Sequence, residues 1–123
     1  MSSFNVAQIL PSLDSGGVER GTIEVANYLS ELKVKNNIIS NGGHLINEIN
    51  KNYTTHFQLA VHSKNFFGYP SIANKLKKII MDQNINIVHV RSRAPAWMLS
   101  FIKNKNFKTV STFHNVYSGN SYF

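Results

Sequence analysis

The sequence has 123 residues, of which 42% are hydrophobic, so it can form one domain with a sizeable buried core and is not a disordered chain. It contains no cysteine, which excludes a disulfide framework, a thiolate metal site and a cysteine nucleophile. Its formal net charge is +7, from 13 Lys and Arg against 6 Asp and Glu, and such a balance favours anionic partners. The lysines are scattered, however, so a solvated basic surface is the alternative interpretation.

The first residues, Met1 to Asn5, lack the basic region of a signal peptide. No apolar run approaches the roughly 20 residues that a membrane helix needs. Because the absence of cysteine also fits a reducing compartment, the sequence predicts a cytoplasmic protein.

In chain order, the first half predicts alternating strands and helices. Apolar or alternating runs predict strands at 6–10, 34–40 and 55–61. Helical spacing predicts one helix from about Val18 to Lys33 and a short one from His44 to Lys51. The inward face of the first helix is expected to carry Val18, Thr22, Val25, Ala26, Leu29 and Leu32.

The second half continues this alternation after a predicted loop at Ser63–Tyr69. Pro70 opens a helix, since proline is favoured in a first turn. Strands at 86–90 and 108–113 flank a helix from Ala94 to Lys103. Strands separated by helices imply parallel crossovers, so the predicted fold is α/β: a three-layer, doubly wound parallel sheet of about five strands in a single domain.

A glycine pair, Gly16-Gly17, lies between the first strand and the first helix. Without a Cβ, the backbone can turn sharply and approach a ligand closely, and the first N–H groups of the helix are free to donate. Together with the positive end of the helix dipole, they form an anion site suited to phosphate. A tight strand-to-helix turn without a ligand is the alternative.

Three features would converge at one edge of such a sheet. Ligands collect at the carboxyl ends of parallel strands, where the strand order reverses. If strands one and four flank that point, the glycine pair meets Arg91 and Arg93 after strand four and His114 after strand five. Guanidinium groups bind phosphate or carboxylate in bidentate fashion. The alternatives are surface arginines that serve solubility and a histidine satisfied by the backbone.

The other histidines carry no metal-binding pattern. His89 lies inside a strand and is expected only to pack or to bond locally. His44, His56 and His62 lack metal-ligand spacing, so no metal site is predicted.

Two familiar nucleotide sites can be excluded. A dinucleotide fold needs the GxGxxG spacing and an acidic residue after strand two, but the chain has Ser15 to Arg20 at the first position and Ser40-Asn41-Gly42 at the second. A P-loop needs a GK[ST] helix start, where this chain has Val18-Glu19.

Three blocks, at 9–22, 87–97 and 110–118, together resemble the family 4 glycosyltransferases of the GT-B type. They are ILPSLDSGGVERGT, IVHVRSRAPAW and VSTFHNVYS, and they occur in the order in which the family has them. The resemblance implies two Rossmann-like domains around a cleft, and transfer of a sugar from a nucleotide-sugar donor with retention at the anomeric carbon. The implied acceptor is a cell-envelope glycan or lipid, and no cofactor or metal is implied beyond the nucleotide-sugar substrate.

The resemblance also implies roles for individual residues. Gly16 and Gly17 would lie against the diphosphate of the donor, and His114 would approach the transferred sugar as the catalytic residue. Arg91 and Arg93 would face the acceptor and bind its anionic group.

The resemblance covers only the acceptor-side, N-terminal domain of the family, which corresponds to residues 1–123. The second domain of the family supplies most donor contacts, namely basic residues on the diphosphate and a Glu-bearing motif. We therefore expect the isolated chain to be inactive unless a separate chain with the C-terminal domain completes the cleft.

Two other kinds of partner remain open. A non-catalytic module that binds an anionic glycan, lipid or nucleotide is the alternative function. Aromatic residues at 64–69 followed by Lys75, Lys77 and Lys78 could contact anionic lipid at the inner face of the membrane, unless the aromatics pack beneath the loop. No recognition motif for nucleic acid is present, so none is predicted as a partner.

Overall fold

The computed structural model describes residues 4–61, 66–102 and 106–112, and these form a five-stranded parallel sheet. The strand order is β3-β2-β1-β4-β5, and every pair of neighbours is parallel. The strands are β1 (Val6–Ile9), β2 (Asn36–Ser40), β3 (Thr54–Gln58), β4 (Ile87–Val90) and β5 (Lys108–Ser111). The predicted doubly wound α/β sheet is thus confirmed.

Three α-helices connect these strands within the described residues: α1 (Gly17–Glu31), α2 (Tyr69–Asp82) and α3 (Arg93–Leu99). Two short 3₁₀ segments, His44–Glu48 and Phe66–Gly68, complete the connections. The last predicted helix was too long, because α3 ends at Leu99 and the next residues form turns.

The two longer helices end in the same way. Lys33 after α1 and Asn84 after α2 have left-handed φ angles of 61° and 55°. In each case the next residue donates its N–H back to the helix, from Val34 to the Leu29 carbonyl at 2.9 Å and from Ile85 to the Ile80 carbonyl at 2.9 Å. These are Schellman caps, and they turn the chain directly into the following strand.

Apolar side chains cover both faces of the sheet. On one face, α2 and α3 pack through Leu76, Ile80 and Met98 against strand residues such as Ile9 and Val90. On the other face, α1 and the 3₁₀ segment His44–Glu48 form a second cluster. It contains Leu10, Leu13, Ile23, Ala26, Ile38, Leu45 and Ile49. The helix that follows β1 (α1) and the helix that follows β4 (α3) lie on opposite faces of the sheet. The strand order therefore reverses between β1 and β4.

The buried face of α1 differs from the predicted one. Its buried residues are Thr22, Ile23, Ala26 and Ser30. Val25 and Leu32, which were expected inside, are 39% and 54% exposed. The prediction was right for Thr22 and Ala26 and wrong for Val25 and Leu32, because the spacing of apolar residues gave no signal for the burial of Ser30. Ser30 is instead buried through a 2.7 Å hydrogen bond between its hydroxyl and that of Thr54 on β3.

Candidate functional site

The candidate site is the carboxyl edge of β1 and β4. The two strands pair in register, with Ile9 opposite Val90, and Arg91 donates its N–H to the Ile9 carbonyl at 2.9 Å. The loop that leads to Gly16 and Gly17 leaves β1 at this same edge. The structure therefore brings the glycine pair and Arg91 to the point of strand reversal, where parallel sheets bind ligands.

The loop after β1 is fixed to the loop after β2 by main-chain hydrogen bonds. Asn41 donates to the Pro11 carbonyl at 2.9 Å, Leu13 to the Gly42 carbonyl at 3.0 Å, and Leu45 to the Leu13 carbonyl at 2.9 Å. The side chain of Leu13 is fully buried. These contacts extend the pairing of the two strands beyond the sheet and hold the start of α1 in place.

A second glycine pair, Gly42-Gly43, makes this loop pairing possible. Both residues have positive φ, 98° and 154°. A Cβ on Gly43 would lie 2.5 Å from the carbonyl carbon and oxygen of Leu13. Such a distance is a steric overlap with backbone, so only glycine fits at this position. The sequence pattern alone does not indicate this close approach.

The first pair, Gly16-Gly17, is not demanded by the protein's own packing. Gly16 has a φ of 172°, an extended conformation that any residue adopts. A Cβ on Gly17 would meet none of the described residues within 4 Å, and Gly17 is exposed. The backbone at Gly17 therefore faces open space, as close approach of a ligand requires. The diphosphate role of both glycines stays a prediction.

Glu19 shapes this open space, and sequence reasoning missed it. Its carboxylate lies over Gly16, at the position that a Cβ there would occupy. A carboxylate at the positive end of a helix is stabilised by the helix dipole. An acidic residue three positions after the N-cap is a common helix-start pattern, which could have indicated this placement. A phosphate that binds to the first turn of α1 has to displace this side chain.

Arg91 is half-buried and oriented by a buried glutamine. Its Nε donates to Oε1 of Gln8 at 2.9 Å, and Nε2 of Gln8 donates to the Thr22 carbonyl in α1 at 3.1 Å. Burial lowers the pKa of Arg91 from its ordinary value by desolvating the guanidinium. Gln8 is 1% exposed and was not singled out in the sequence, because it lies inside a run that predicts a strand.

Arg93 and His114 are placed differently. Arg93 is the first residue of α3 and is exposed, so it extends from the helix and not from the strand end. His114 lies outside the described residues. Of the features predicted to converge, the structure thus brings only the glycine pair and Arg91 to this edge.

Three other histidines have local partners, and His62 lies outside the described residues. Nε2 of His89 lies 3.0 Å from the hydroxyl of Thr112, which confirms the expectation of local bonding. Nε2 of His56 lies 2.7 Å from the hydroxyl of Ser40, and burial lowers the pKa of His56. Nδ1 of His44 is 3.8 Å from Oδ1 of Asp14. In the part of the chain that the structure describes, no group of three or more His, Asp or Glu side chains could hold a metal ion.

A cavity of about 460 Å³ lies at the opposite, amino edge of the sheet. It is lined by residues of α2 and of the segments that precede β4 and β5, among them Lys77, Asn86 and Phe107. None of Gly16, Gly17, Arg91 and Arg93, the site residues that the structure describes, lines it. Among the described residues, no helix is both long and apolar enough to cross a membrane.

Comparison with known proteins agrees with the α/β fold. A model of the family described as Glycosyltransferase Family 4 matches residues 15–123. The chain is also similar to a glycosyltransferase from Rickettsia africae ESF-5 of known crystal structure, with 45% sequence identity and a TM-score of 0.81. That match covers 95% of this chain and 31% of the Rickettsia protein, so this chain spans less than a third of that protein's length. No curated protein matches the sequence. Since the family match extends over most of its residues, the chain belongs to glycosyltransferase family 4.

Proposed function

We propose that this chain is the acceptor-side domain of an enzyme that transfers a sugar from a nucleotide-sugar donor, with retention, to a cell-envelope glycan or lipid. One observation carries the proposal: the loop to the first turn of α1 and the half-buried Arg91 follow the carboxyl ends of the paired strands β1 and β4, where the strand order reverses. A phosphate-compatible backbone and a guanidinium are the groups that a diphosphate donor and an anionic acceptor need.

The diphosphate is proposed to bind to the first turn of α1. The N–H groups of this turn lack helical partners and can donate to phosphate oxygens. The absence of a Cβ at Gly17 leaves room for the phosphate to reach the backbone. Such donors, fixed before the reaction, stabilise the charge that develops on the leaving diphosphate.

The acceptor side is assigned to Arg91 and Arg93, and the transferred sugar to His114. For His114 the support is the resemblance of the block at 110–118 to the family, since the residue lies outside the described part of the chain. Neither a metal nor another cofactor enters this proposal, because guanidinium and N–H groups supply the positive charge.

A second, donor-binding domain completes the proposed cleft. The support is the match to the Rickettsia glycosyltransferase, of which this chain corresponds to 31%. A half-cleft open to water screens every charge at the edge and leaves the donor sugar unpositioned. The chain on its own is therefore expected to show no sugar transfer.

A chimaera tests this function. Residues 1–123 replace the corresponding part of the Rickettsia glycosyltransferase, and transfer is measured with a panel of uridine- and guanosine-diphosphate sugars. We expect activity in the chimaera and none in the 123-residue chain. His114→Ala and Arg91→Gln should lower turnover in the chimaera, whereas Lys51→Ala, an exposed residue before β3, should not.

Two results would contradict the proposal. Robust transfer by the 123-residue chain alone would show that no second domain is needed. An inactive chimaera, beside an active Rickettsia enzyme, would favour the second candidate, a non-catalytic module that binds an anionic ligand. Arg91 favours that candidate as well, since its guanidinium has no carboxylate partner within the described part of the chain.

A further inference from the structure

Arg91 carries a positive charge that no side-chain carboxylate of this chain neutralises. The sequence has six acidic residues, all in the described part: Asp14, Glu19, Glu24, Glu31, Glu48 and Asp82. Those that form ion pairs do so with Arg20, His44 and Lys78. None of the six lies within salt-bridge distance of Arg91. A half-buried charge without a counter-ion is costly, and an anionic ligand would offset that cost.

The hydrogen bonds of Arg91 leave one end of its guanidinium available. Nε is used by Gln8, at 2.9 Å. Nη1 and Nη2 have no partner among residues 4–61, 66–102 and 106–112. The side chain is also partly exposed, so a ligand can reach it. With Nε fixed, the remaining N–H groups form the planar fork that matches a phosphate or carboxylate.

Gln8 is held at both ends. It is 1% exposed, in a strand whose other buried residues, Ala7 and Ile9, are apolar. Its Oε1 accepts from Arg91, and its Nε2 donates to the Thr22 carbonyl at 3.1 Å. Thr22 in turn donates its hydroxyl to the Val18 carbonyl at 2.8 Å in the first turn of α1. This chain of bonds connects the guanidinium rigidly to the start of the helix that follows the glycine pair.

We propose that Gln8 is a positioning residue that orients Arg91 to bind an anionic group of the acceptor, a phosphate or a carboxylate. Only the identification of the anion as part of the acceptor rests on the proposed function. An apolar residue could fill the space of Gln8 in the core, but it would release Nε and allow the guanidinium to rotate. The amide therefore fixes the direction of the fork, and Arg91 supplies the contact.

Nuclear magnetic resonance of the arginine Nε–H groups tests this directly. The chain has three arginines, Arg20, Arg91 and Arg93, so three signals are expected. The signal that is lost in Arg91→Lys identifies Arg91. In the wild-type chain, its bond to Gln8 should slow exchange with water, and inorganic phosphate should shift it. The Arg20 signal should stay in place, because that guanidinium already pairs with Glu48 at 2.8 Å.

Variants separate positioning from contact. Arg91→Gln should weaken phosphate binding about tenfold or more, since it removes a charge-assisted bidentate contact. Gln8→Leu should weaken it about fivefold, the effect of one lost hydrogen bond, and the Arg91 Nε–H should exchange faster. Gln8→Met, unbranched and similar in volume, is the second variant if leucine prevents folding. Lys35→Gln removes an exposed charge before β2, at the opposite edge, and should change nothing.

Several results would overturn the proposal. It fails if wild-type Arg91 Nε–H exchanges freely, if phosphate binds equally to Arg91→Gln, or if folded Gln8 variants keep full affinity. Repeating the titration with excess uridine diphosphate separates two sources of the anion. A shift that persists supports an acceptor site, whereas one that is abolished assigns Arg91 to the donor. Since no step needs sugar transfer, an inactive chimaera with intact Arg91 binding would refute the proposed function and leave the Gln8 role standing.

Discussion

Replacing Gly43 by alanine should destabilise the fold, whereas the same change at Gly17 should not. At Gly43 the new Cβ would overlap the Leu13 carbonyl at 2.5 Å and the Asp14 Oδ1 at 2.6 Å, with φ at 154°. The loop after β2 must then move away from the loop after β1. Two main-chain hydrogen bonds flank the contact, from Leu13 to the Gly42 carbonyl and from Leu45 to the Leu13 carbonyl.

The magnitude follows from these contacts. Each lost hydrogen bond contributes about 1 kcal/mol net, and backbone strain at one residue adds about 1–3 kcal/mol. We expect Gly43→Ala to lower the free energy of unfolding by about 3 kcal/mol altogether, a large share of the stability of a small domain. At Gly17 nothing lies within 4 Å of the new methyl group, and alanine favours a helix. Gly17→Ala should leave the free energy of unfolding unchanged or raise it by less than about 1 kcal/mol.

Urea unfolding of the three chains, followed by far-ultraviolet circular dichroism, measures both effects. The same samples, titrated with uridine diphosphate, show whether the methyl group at Gly17 obstructs phosphate. The expected pattern is a stable Gly17→Ala with weakened nucleotide binding and a destabilised Gly43→Ala. A Gly43→Ala chain within about 0.5 kcal/mol of wild type, the size of an ordinary surface substitution, would refute the close approach of the two loops.

Three further expectations follow from the described contacts. Glu19→Gln removes the negative charge over the start of α1. Uridine diphosphate should therefore bind about two- to fivefold more tightly in calorimetric titration, the equivalent of about 0.3–1 kcal/mol. Unchanged affinity would show that the carboxylate does not compete. Because burial lowers the pKa of His56, protonation favours the unfolded chain, and the free energy of unfolding should fall as pH drops below about 6.5. His56→Gln should reduce this loss of stability. An equal loss in both chains would assign the pH dependence to other groups. Phe67 and Trp97 are 94% and 57% exposed. Replacing both by serine should reduce flotation with anionic vesicles at low salt. If the wild-type chain does not bind these vesicles, the predicted membrane contact is refuted.

The fold could be predicted because its signals are local and repeated. The helix that Pro70 opens places Leu76 and Ile80 inside, as its spacing indicates. Strands with short apolar runs alternate with helices, and this order alone requires parallel crossovers. The face of α1 could not be predicted in the same way. Whether Ser30 is buried depends on Thr54, which is distant in sequence and near only in the folded sheet.

The site could be predicted only as far as strand ends define it. The sequence indicated that the glycine pair at 16–17 and Arg91 lie at one edge, and the pairing of β1 with β4 places them there. It could not distinguish the two glycine pairs, because the need for glycine at Gly43 arises from Leu13 on another loop. Nor could it indicate Gln8, since a glutamine in an apolar run acquires a role only when β4 delivers Arg91 beside it.

Three positions around this edge act on it through different physical routes, and their effects should separate. Gly43 fixes where the loop lies, so its substitution should lower stability and nucleotide affinity together. Gln8 fixes the direction of one guanidinium, so its apolar variants should weaken phosphate binding at Arg91 without moving the glycine loop. A methyl group added at Gly17 would meet nothing within 4 Å among the described residues, so it should affect the nucleotide alone. If all three variants instead lost stability and both kinds of binding in parallel, the edge would be one cooperative unit and not two separately positioned anion sites.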